Sequence, residues 1–344
     1  MAAAHRPVSM SERLRSTIEA LPRLRTVVIG DIAADEFLYG RVARVSREAP
    51  VLILEYDSTE VVPGGAGNAA HNVATLGGRT QLFGCVGRDP AADRLLAAMR
   101  AATIDVRGVV RVRDYATPTK TRVLAGGIHS AKQQVVRIDR RQGEVPARAV
   151  HEAWGARLER ALTSCDAVLI SDYGGGVVTG PLVRSVRQAL RRRSDRRVPV
   201  LIDSRYAIDR YHGLTASTPN EAELEAMLDV RIDDDARVLE RAGRTLLERT
   251  RMAAVLVTRG SRGMALFEPG RLTVHIPIFG SDQIADVTGA GDTVIAAMTQ
   301  ALATGASFED AARLANVAGG LVVMKRGTAT VSRDELRLAI EHDR

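Results

Sequence analysis

From about residue 145 to the C-terminus, short apolar runs typical of buried strands alternate with longer stretches whose apolar residues recur at helical spacing. The helix that joins two parallel strands must cross one face of their sheet, so this alternation favours a mostly parallel sheet with helices on both faces. We therefore expect an α/β fold. The predicted strands are 167–171, 199–203, 253–258, 263–267 and 272–276, and the predicted helices include 180–193, 290–303, 308–325 and 332–341.

The first half of the chain contains strand patterns that do not fit this alternation. The run 26–30 predicts the first buried strand, after a helical N-terminal extension over residues 1–25. Two β-rich stretches, about 36–62 and 112–140, lack helical spacing, and the second of them predicts a hairpin. We expect one large domain, 26–341, from which these two stretches project as a small β-sheet lid.

The composition excludes several classes of protein. Apolar residues make up 45% of the 344, which is enough for a buried core, but no run of them approaches the roughly 18 residues of a membrane span. The start of the chain lacks the apolar segment of a secretory signal. The two cysteines, Cys85 and Cys165, are too few for a disulfide framework or a cysteine zinc site. We expect a cytoplasmic protein without a membrane partner.

The net charge of +7 raises the question of nucleic acid binding. Most of the cations are arginines spread among acidic residues in helical stretches, with one dense run at 191–197. Aromatic residues make up only 3% of the chain, so there are few side chains on which bases could stack. The charge therefore suits a small anionic ligand, and we expect no nucleic acid partner.

The strongest motif is DVTGAGD, residues 286–292, which leads directly into an apolar helix. Small residues let backbone N–H groups approach an anion, and the N-terminus of the helix adds its positive dipole end. The carboxylate of Asp292 would repel an anion, so it needs another role. A general base that takes the proton from an attacking hydroxyl fits this position. From the residues alone, an Asp that caps a helix after a glycine turn remains the alternative.

Two further clusters have the composition of a sugar site. Residues 63–70, PGGAGNAA, combine glycines that let the backbone lie close to a ligand with Asn68, which both donates to and accepts from hydroxyls. Asp31 and Asp35 follow the first strand, where open α/β sheets bind ligands. Tight turns and helix caps are the alternatives for both clusters.

Together these three elements resemble the signatures of the ribokinase-like (PfkB) carbohydrate kinases, and the resemblance covers about residues 25–340. It implies an ATP-dependent, Mg²⁺-dependent sugar kinase with Asp292 as the catalytic base. The implied anion hole consists of the amides of Gly289, Ala290 and Gly291. The sugar-binding residues that it implies, with Asp31 placed beside them, are Asp35, Gly64, Gly65 and Asn68.

Other family elements follow in order. Residues 218–223, TPNEAE, resemble the Asn-x-x-Glu motif, which implies that Asn220 and Glu223 lie near the nucleotide phosphates and that Glu223 contributes indirectly to the magnesium site. A helix capping box is the alternative for this pair. The remaining implied nucleotide contacts are Thr258, Gly260, Gly263 and Asn316, and the residues implied to border a monovalent cation such as K⁺ are Asp286 and Thr288.

Within the family, the stretches VSREAPV (45–51), TKTRV (119–123) and SDY (171–173) resemble bacterial heptose 7-phosphate kinases. A substrate that already carries phosphate needs fixed cations, and strand alternation places Lys120 and Arg122 on one face, with Arg137 on the predicted partner strand. Cross-strand salt bridges are the alternative. Three places depart from the subgroup: Arg47 stands where we expect proline, residues 174–176 (GGG) lack the lysine expected after SDY, and residues 203–206 (DSRY) replace a turn expected to resemble Asp-Pro-Lys-Gly.

The sequence therefore predicts a kinase for a sugar phosphate, with heptose 7-phosphate phosphorylated at C1 as the leading hypothesis. Two alternatives stay open: a related kinase for another sugar, sugar phosphate or nucleoside, and a non-catalytic sugar- or nucleotide-binding regulator. We expect a homodimer. We also expect nucleotidyl transfer to the product to occur on a separate chain, because 344 residues leave no room for a fused nucleotidyltransferase.

Overall fold

The computed structural model describes residues 9–126, 132–193, 197–280, 286–325 and 327–342. The strands are Arg25–Gly30 (β1), Ile32–Val45 (β2), Leu52–Gly65 (β3), Arg79–Val86 (β4), Asp105–Arg111 (β5), Ala116–Gly126 (β6), Gln133–Gln142 (β7), Ala167–Asp172 (β8), Val200–Ser204 (β9), Ala216–Ser217 (β10), Ala254–Thr258 (β11), Met264–Phe267 (β12) and Val274–Ile276 (β13). The helices are Met10–Ala20 (α1), Ala66–Thr75 (α2), Pro90–Ala101 (α3), Ala147–Ser164 (α4), Gly180–Arg191 (α5), Glu221–Leu228 (α6), Ala236–Thr250 (α7), Ala290–Ala303 (α8), Phe308–Val323 (α9) and Arg333–His342 (α10).

Nine strands form the main sheet in the order β13-β12-β11-β10-β9-β8-β1-β4-β5. All neighbouring strands from β5 to β11 are parallel, whereas β12 and β13 pair antiparallel at one edge. The predicted α/β class and mostly parallel sheet are confirmed. The carboxyl ends of β1, β8, β9 and β11 meet at one edge of this sheet, and loops at such an edge are where open α/β sheets place their ligands.

Both faces of the main sheet are covered by helices, as predicted. Alternate residues of a strand point to opposite faces, so Val28 of β1 packs in one core with α1, α2, α8 and α9, while Val27 and Ile29 pack in a second core with α4, α5 and α7. Helix α1 joins the first core through Leu14 and Ile18. Every one of these five side chains is buried.

A separate sheet contains four strands in the order β3-β2-β6-β7. Strands β6 and β7 pair antiparallel, which confirms the predicted hairpin, and β2 and β3 pair from Ile32↔Gly65 to Val45↔Leu52. The predicted β-rich stretch of about 36–62 lies within the segment that β2 and β3 form, and both strands extend beyond it, to Ile32 and to Gly65. The end of β3 was not predicted because cross-strand hydrogen bonds, and not apolar side chains, extend it to Gly65, directly before α2.

Within the described ranges, no helix is both long enough and apolar enough to cross a bilayer. Cys85 and Cys165 are buried thiols, and neither takes part in a disulfide.

Candidate active site

The predicted anion hole lies at the start of α8. Gly289 adopts a left-handed conformation (φ 81°), and a Cβ at this position would lie 2.6 Å from the side-chain nitrogen of Asn68, so both the conformation and the close approach require glycine. No side chain caps this end of the helix. A Cβ built on Gly291 would meet no atom within 4 Å, so the first turn of α8 borders open space. The amide of Ala290 donates to the backbone oxygen of Val287 (3.2 Å), whereas the amide of Gly291 is available to an anion.

Asp292 lies in this first turn with only 3% of its surface exposed. Its Oδ2 accepts a hydrogen bond from Nδ2 of Asn68 (2.8 Å), and its Oδ1 accepts one from the hydroxyl of Tyr173 (3.2 Å). Burial raises the pKa of Asp292 to about 7, against the opposing effect of these two hydrogen bonds. A carboxylate with a pKa near neutrality is suited to accept a proton from a hydroxyl at physiological pH.

Asn68 is held in place by a second set of hydrogen bonds between α2 and α8. Nδ2 of Asn72 donates to the backbone oxygen of Asn68 (3.0 Å), and the hydroxyl of Thr293 donates to Oδ1 of Asn72 (2.8 Å). All three side chains are buried. The two predicted motifs, around 64–68 and 286–292, are thus brought together by a continuous polar network.

The two carboxylates after β1 have different partners. Asp31 is buried and accepts hydrogen bonds from the backbone amides of Tyr173 (2.8 Å), Gly175 (2.8 Å) and Val177 (3.1 Å). Burial raises the pKa of Asp31, while these amides act to lower it. Asp35, on β2, forms an ion pair with Arg122 of β6. In this structure the carboxylate of Asp31 is therefore used to fix the loop 173–177.

The glycines of the sugar motif lie against these carboxylates. A Cβ on Gly64 would lie 2.6 Å from Oδ2 of Asp35, and one on Gly65 would lie 2.4 Å from the backbone oxygen of Asp31. Gly65 also has a positive φ of 57°, which side chains disfavour. The close approach of α2 to the end of β1 therefore depends on this glycine pair.

The three predicted phosphate-binding cations lie together, since β6 and β7 pair Arg122 with Arg137 and Lys120 with Asp139. Arg122 contacts Asp35, and Arg137 forms two hydrogen bonds with Asp139 (2.7 Å each). Lys120 makes neither an ion pair nor a hydrogen bond to the described residues, and its Nζ lies 5.9 Å from the ring centre of Tyr173. Burial and the nearby arginines lower the pKa of Lys120.

Lys120 borders a cavity of about 200 Å³ that also reaches Gly65 and Tyr173. Two further cations, Arg140 and Arg141, line the same cavity and were not among the predicted site residues. These two arginines were not predicted because the strand pattern shows which residues of β7 share a face of the sheet. It does not show that the end of this strand borders a cavity.

Four of the six predicted nucleotide residues line a second cavity, which the first turn of α8 borders. This largely apolar cavity of about 220 Å³ is lined by Asn220, Thr258, Gly260, Gly263 and Gly291. Asn316 is not among its lining residues. Its side chain donates to the backbone oxygen of Pro277 (2.8 Å) and borders a different cavity, beside α1.

The Asn-x-x-Glu pair forms the capping box that the sequence left as an alternative. Oδ1 of Asn220 accepts from the amide of Glu223 (2.8 Å), and Oε2 of Glu223 accepts from the amide of Asn220 (3.0 Å). Burial raises the pKa of Glu223. Desolvation, with repulsion from Glu223 and Asp292, holds the pKa of Asp203 well above its ordinary range. Asp203, near the end of β9, is thus an acidic neighbour of the site that was not predicted as a site residue.

Asp286 accepts hydrogen bonds from the amides of Thr288 (2.9 Å) and Gly327 (3.1 Å). Its carboxylate thus links the start of the α8 motif to the segment after α9. No group of three or more His, Cys, Asp or Glu side chains in the described part of the chain is arranged to hold a metal ion.

The buried charge of Asp292 predicts a pH-dependent stability. Above pH 7 the folded protein carries this charge in a desolvated place, whereas near pH 4 the folded carboxyl is protonated. We expect Asp292→Asn to be more stable than the wild type at pH 8 by about 1–3 kcal/mol, with a difference that shrinks towards pH 4. Chemical denaturation at several pH values measures this difference.

Asp310→Asn is the matched control. Its carboxylate pairs with Arg13 (2.9 Å), which lowers the pKa of Asp310, so this variant should lose stability at pH 8. If Asp292→Asn were also less stable than the wild type at pH 8, the charge of Asp292 would not destabilise the folded protein.

Comparison with known proteins shows which proteins this chain resembles. The chain is 39% identical over 331 residues to the bifunctional protein HldE of Klebsiella pneumoniae, a match that covers 95% of this chain and 65% of that protein. It is 41% identical over 320 residues to the bifunctional protein HldE of Geobacter sulfurreducens, covering 91% and 62%. The chain thus spans less than two thirds of the length of these relatives.

Solved structures share the fold. Arabidopsis thaliana ribokinase, complexed with ribose and ATP, superposes with a TM-score of 0.70 at 21% identity, covering 93% of this chain and 99% of that one. Phosphofructokinase-2 from Escherichia coli, in complex with substrates and products, gives 0.68 at 18% identity, covering 93% and 98%. The sequence profile of the pfkB family carbohydrate kinases matches residues 25–335. The chain therefore belongs to the pfkB family of carbohydrate kinases.

Proposed function

We propose that this chain transfers the γ-phosphoryl group of ATP to a hydroxyl of a sugar phosphate, with C1 of a heptose 7-phosphate as the preferred acceptor. The observation that carries the proposal is the buried carboxylate of Asp292, which lies in the first turn of α8, where no side chain caps the helix. Family membership supports the kinase reaction, and the cations around Lys120 support an acceptor that already carries phosphate.

The transfer step follows from the positions of these groups. Asp292 takes the proton of the acceptor hydroxyl, and the oxygen of that hydroxyl forms a bond to the γ-phosphorus as the bond from that phosphorus to the β-phosphate oxygen breaks. The products are the sugar bisphosphate and ADP. The amides of Gly289 and Gly291 donate to the negative charge that is distributed over the transferring oxygens. The amide of Ala290 joins them when it exchanges its bond to the backbone oxygen of Val287 for one to the phosphoryl group.

The mainly apolar cavity suits ATP, and two acidic residues suit Mg²⁺. The cavity beside Thr258, Gly260 and Gly263 has mainly apolar walls for a base, and it ends at Gly291 and hence at the anion hole. Asp203 and Glu223 are oxygen donors that would hold Mg²⁺ through bound water, which is how this ion commonly binds near phosphates. When bound, Mg²⁺ neutralises charge on the β- and γ-phosphate oxygens.

Three further assignments belong to this proposal. Asp286 and Thr288 border a monovalent-cation site, for which the carboxylate of Asp286 supplies an oxygen donor. The small sheet acts as a lid over the sugar and excludes water from the transfer. The reaction takes place in the cytoplasm, where ATP is supplied, and the two free buried thiols agree with that location.

We assign phosphoryl transfer to the kinase domain, residues 26–341. The HldE relatives are named bifunctional, and the match covers 65% and 62% of the two described above. That nucleotidyl transfer to the product takes place on a separate chain stays a prediction, as does the N-terminal boundary of the kinase domain.

The first prediction concerns the base. Asp292→Asn keeps the size of the side chain but cannot accept the proton, so kcat should fall by about 10²–10⁴-fold while ATP binding stays close to that of the wild type. Coupled ADP release measures kcat, and calorimetric titration measures ATP affinity. A variant with more than about half of the wild-type kcat would contradict the assignment.

Acceptor choice is tested in the same assay by comparing heptose 7-phosphate, hexose phosphates, free heptose and nucleosides. We expect the highest kcat/KM with heptose 7-phosphate. A preference for a free sugar or a nucleoside would favour the related-kinase alternative. Ligand binding without ADP release for every acceptor would favour the regulator.

The second prediction concerns the substrate phosphate. Lys120→Met keeps a chain that packs on Tyr173 but loses the charge, so KM for the sugar phosphate should rise by about 10- to 150-fold with little change in KM for ATP. Lys132→Met is the matched control, because Lys132 belongs to the same lid region but pairs with Asp57 (2.7 Å). Equal effects of Lys120→Met on phosphorylated and free sugar would show that the cluster is structural.

The third prediction concerns assembly. The small sheet exposes apolar side chains, among them Tyr56 (64%), Val136 (48%) and Ile138 (46%), which supports a homodimer formed through this sheet. Sedimentation at micromolar concentration should give a dimer, and Ile138→Glu should shift it towards the monomer. Leu272→Glu changes an equally apolar residue that is 91% exposed elsewhere and should have no effect. A wild-type monomer would overturn the dimer.

A further inference from the structure

Tyr173 contacts both Asp292 and Lys120. Its hydroxyl donates to Oδ1 of Asp292 (3.2 Å), and the centre of its ring lies 5.9 Å from Nζ of Lys120. The residue also lines the cavity of about 200 Å³ that Lys120 borders. The phenol therefore occupies the path between the base and the proposed phosphate-binding cations, where the acceptor sugar has to lie.

The loop that carries Tyr173 is fixed at its base. Three successive donors, the amides of Tyr173, Gly175 and Val177, share the carboxylate of Asp31. A Cβ on Gly175 would lie 2.7 Å from Oδ1 of Asp31, so glycine permits this arrangement. A carboxylate that accepts several amides anchors a loop strongly. The position of the phenol is therefore built into the fold.

The two donors to Asp292 are not equivalent. Asn68 is buried on α2, donates at 2.8 Å, and is held in turn by Asn72. Tyr173 donates at the longer distance of 3.2 Å and borders the cavity. The acceptor hydroxyl must reach an oxygen of Asp292 before it can give up its proton. Of the two donors, Tyr173 is the one that the sugar can displace.

We infer that Tyr173 is a positioning residue: in the ligand-free protein its hydroxyl holds Oδ1 of Asp292, and the acceptor hydroxyl takes that place when the sugar binds. The inference rests on the proposed function, because it requires Asp292 to be the base. Tyr173 itself neither gains nor loses a proton in the reaction.

The charge of Asp292 also depends on its other neighbours. Repulsion from Asp35 raises its pKa, attraction to Lys120 lowers it, and Asp203 is the further carboxyl that interacts with it. Removal of the Tyr173 hydroxyl leaves all three in place. Its loss should therefore raise the pKa of Asp292 in the ligand-free protein only.

The test is the pH dependence of Tyr173→Phe with heptose 7-phosphate and ATP. The acid limb of kcat/KM reports the free enzyme, and that of kcat reports the substrate complex. We expect the midpoint of the kcat/KM limb to rise by about 1 pH unit, so that kcat/KM at pH values below this midpoint falls by up to about tenfold relative to the wild type. The midpoint of the kcat limb should not change. Tyr206→Phe, a change in an exposed tyrosine near the same loop, should alter neither limb.

Each outcome decides the inference. Two unmoved limbs would show that Tyr173 does not hold the base, and two limbs that move together would show that it stays bound in the complex; either overturns the inference. If Tyr173→Phe lowers the unfolding temperature, Tyr173→Trp, which keeps an aromatic ring but has no hydroxyl at that place, repeats the comparison. A wild type without activity on any acceptor would instead overturn the proposed function.

Discussion

The carboxylate of Asp292 is buried between Asn68 and Tyr173 at the N-terminus of α8, and the arrangement of the site depends on how this charge is held. A buried carboxylate with only two neutral donors is costly, and its pKa of about 7 is the result of that cost. The same desolvation makes the group a base of useful strength at neutral pH. Stability is thus reduced at the place where the proposed reaction needs a proton acceptor.

The surrounding contacts keep the charge in one position. The chain from Thr293 through Asn72 to Asn68 links α8 to α2, and the carboxylate of Asp31 holds the loop of Tyr173. The links from Thr293 to Asn72 and from Asp31 to Tyr173 span 221 and 142 residues, whereas Asn72 and Asn68 lie one turn apart on α2. One cavity is lined by Lys120 and other cations, and a second, bordered by the start of α8, has mainly apolar walls. In the proposed function these two cavities hold the sugar phosphate and the nucleotide.

Much of the fold was predictable because its signals are local. Alternating strands and helices predicted the parallel sheet, and the glycine motif predicted the helix that begins at Ala290. The contact between Arg122 and Asp35 spans 87 residues, and no local pattern indicates it. Tyr173 gave only a weak signal, as one residue of a short SDY stretch, since its role depends on Asp31 in another loop. For Asn316 the helix was predicted but the contact of the side chain was not: its amide donates to the backbone oxygen of Pro277.

The most direct test of this account is a carbon-13 NMR titration of the Asp292 carboxyl in the ligand-free protein, with the resonance identified by its absence in Asp292→Asn. The account predicts a midpoint near pH 7, raised by burial from the ordinary value of 3.8. A midpoint near pH 4 would contradict it, because Asp292 would then be an ordinary, fully charged carboxylate and the buried base would not exist.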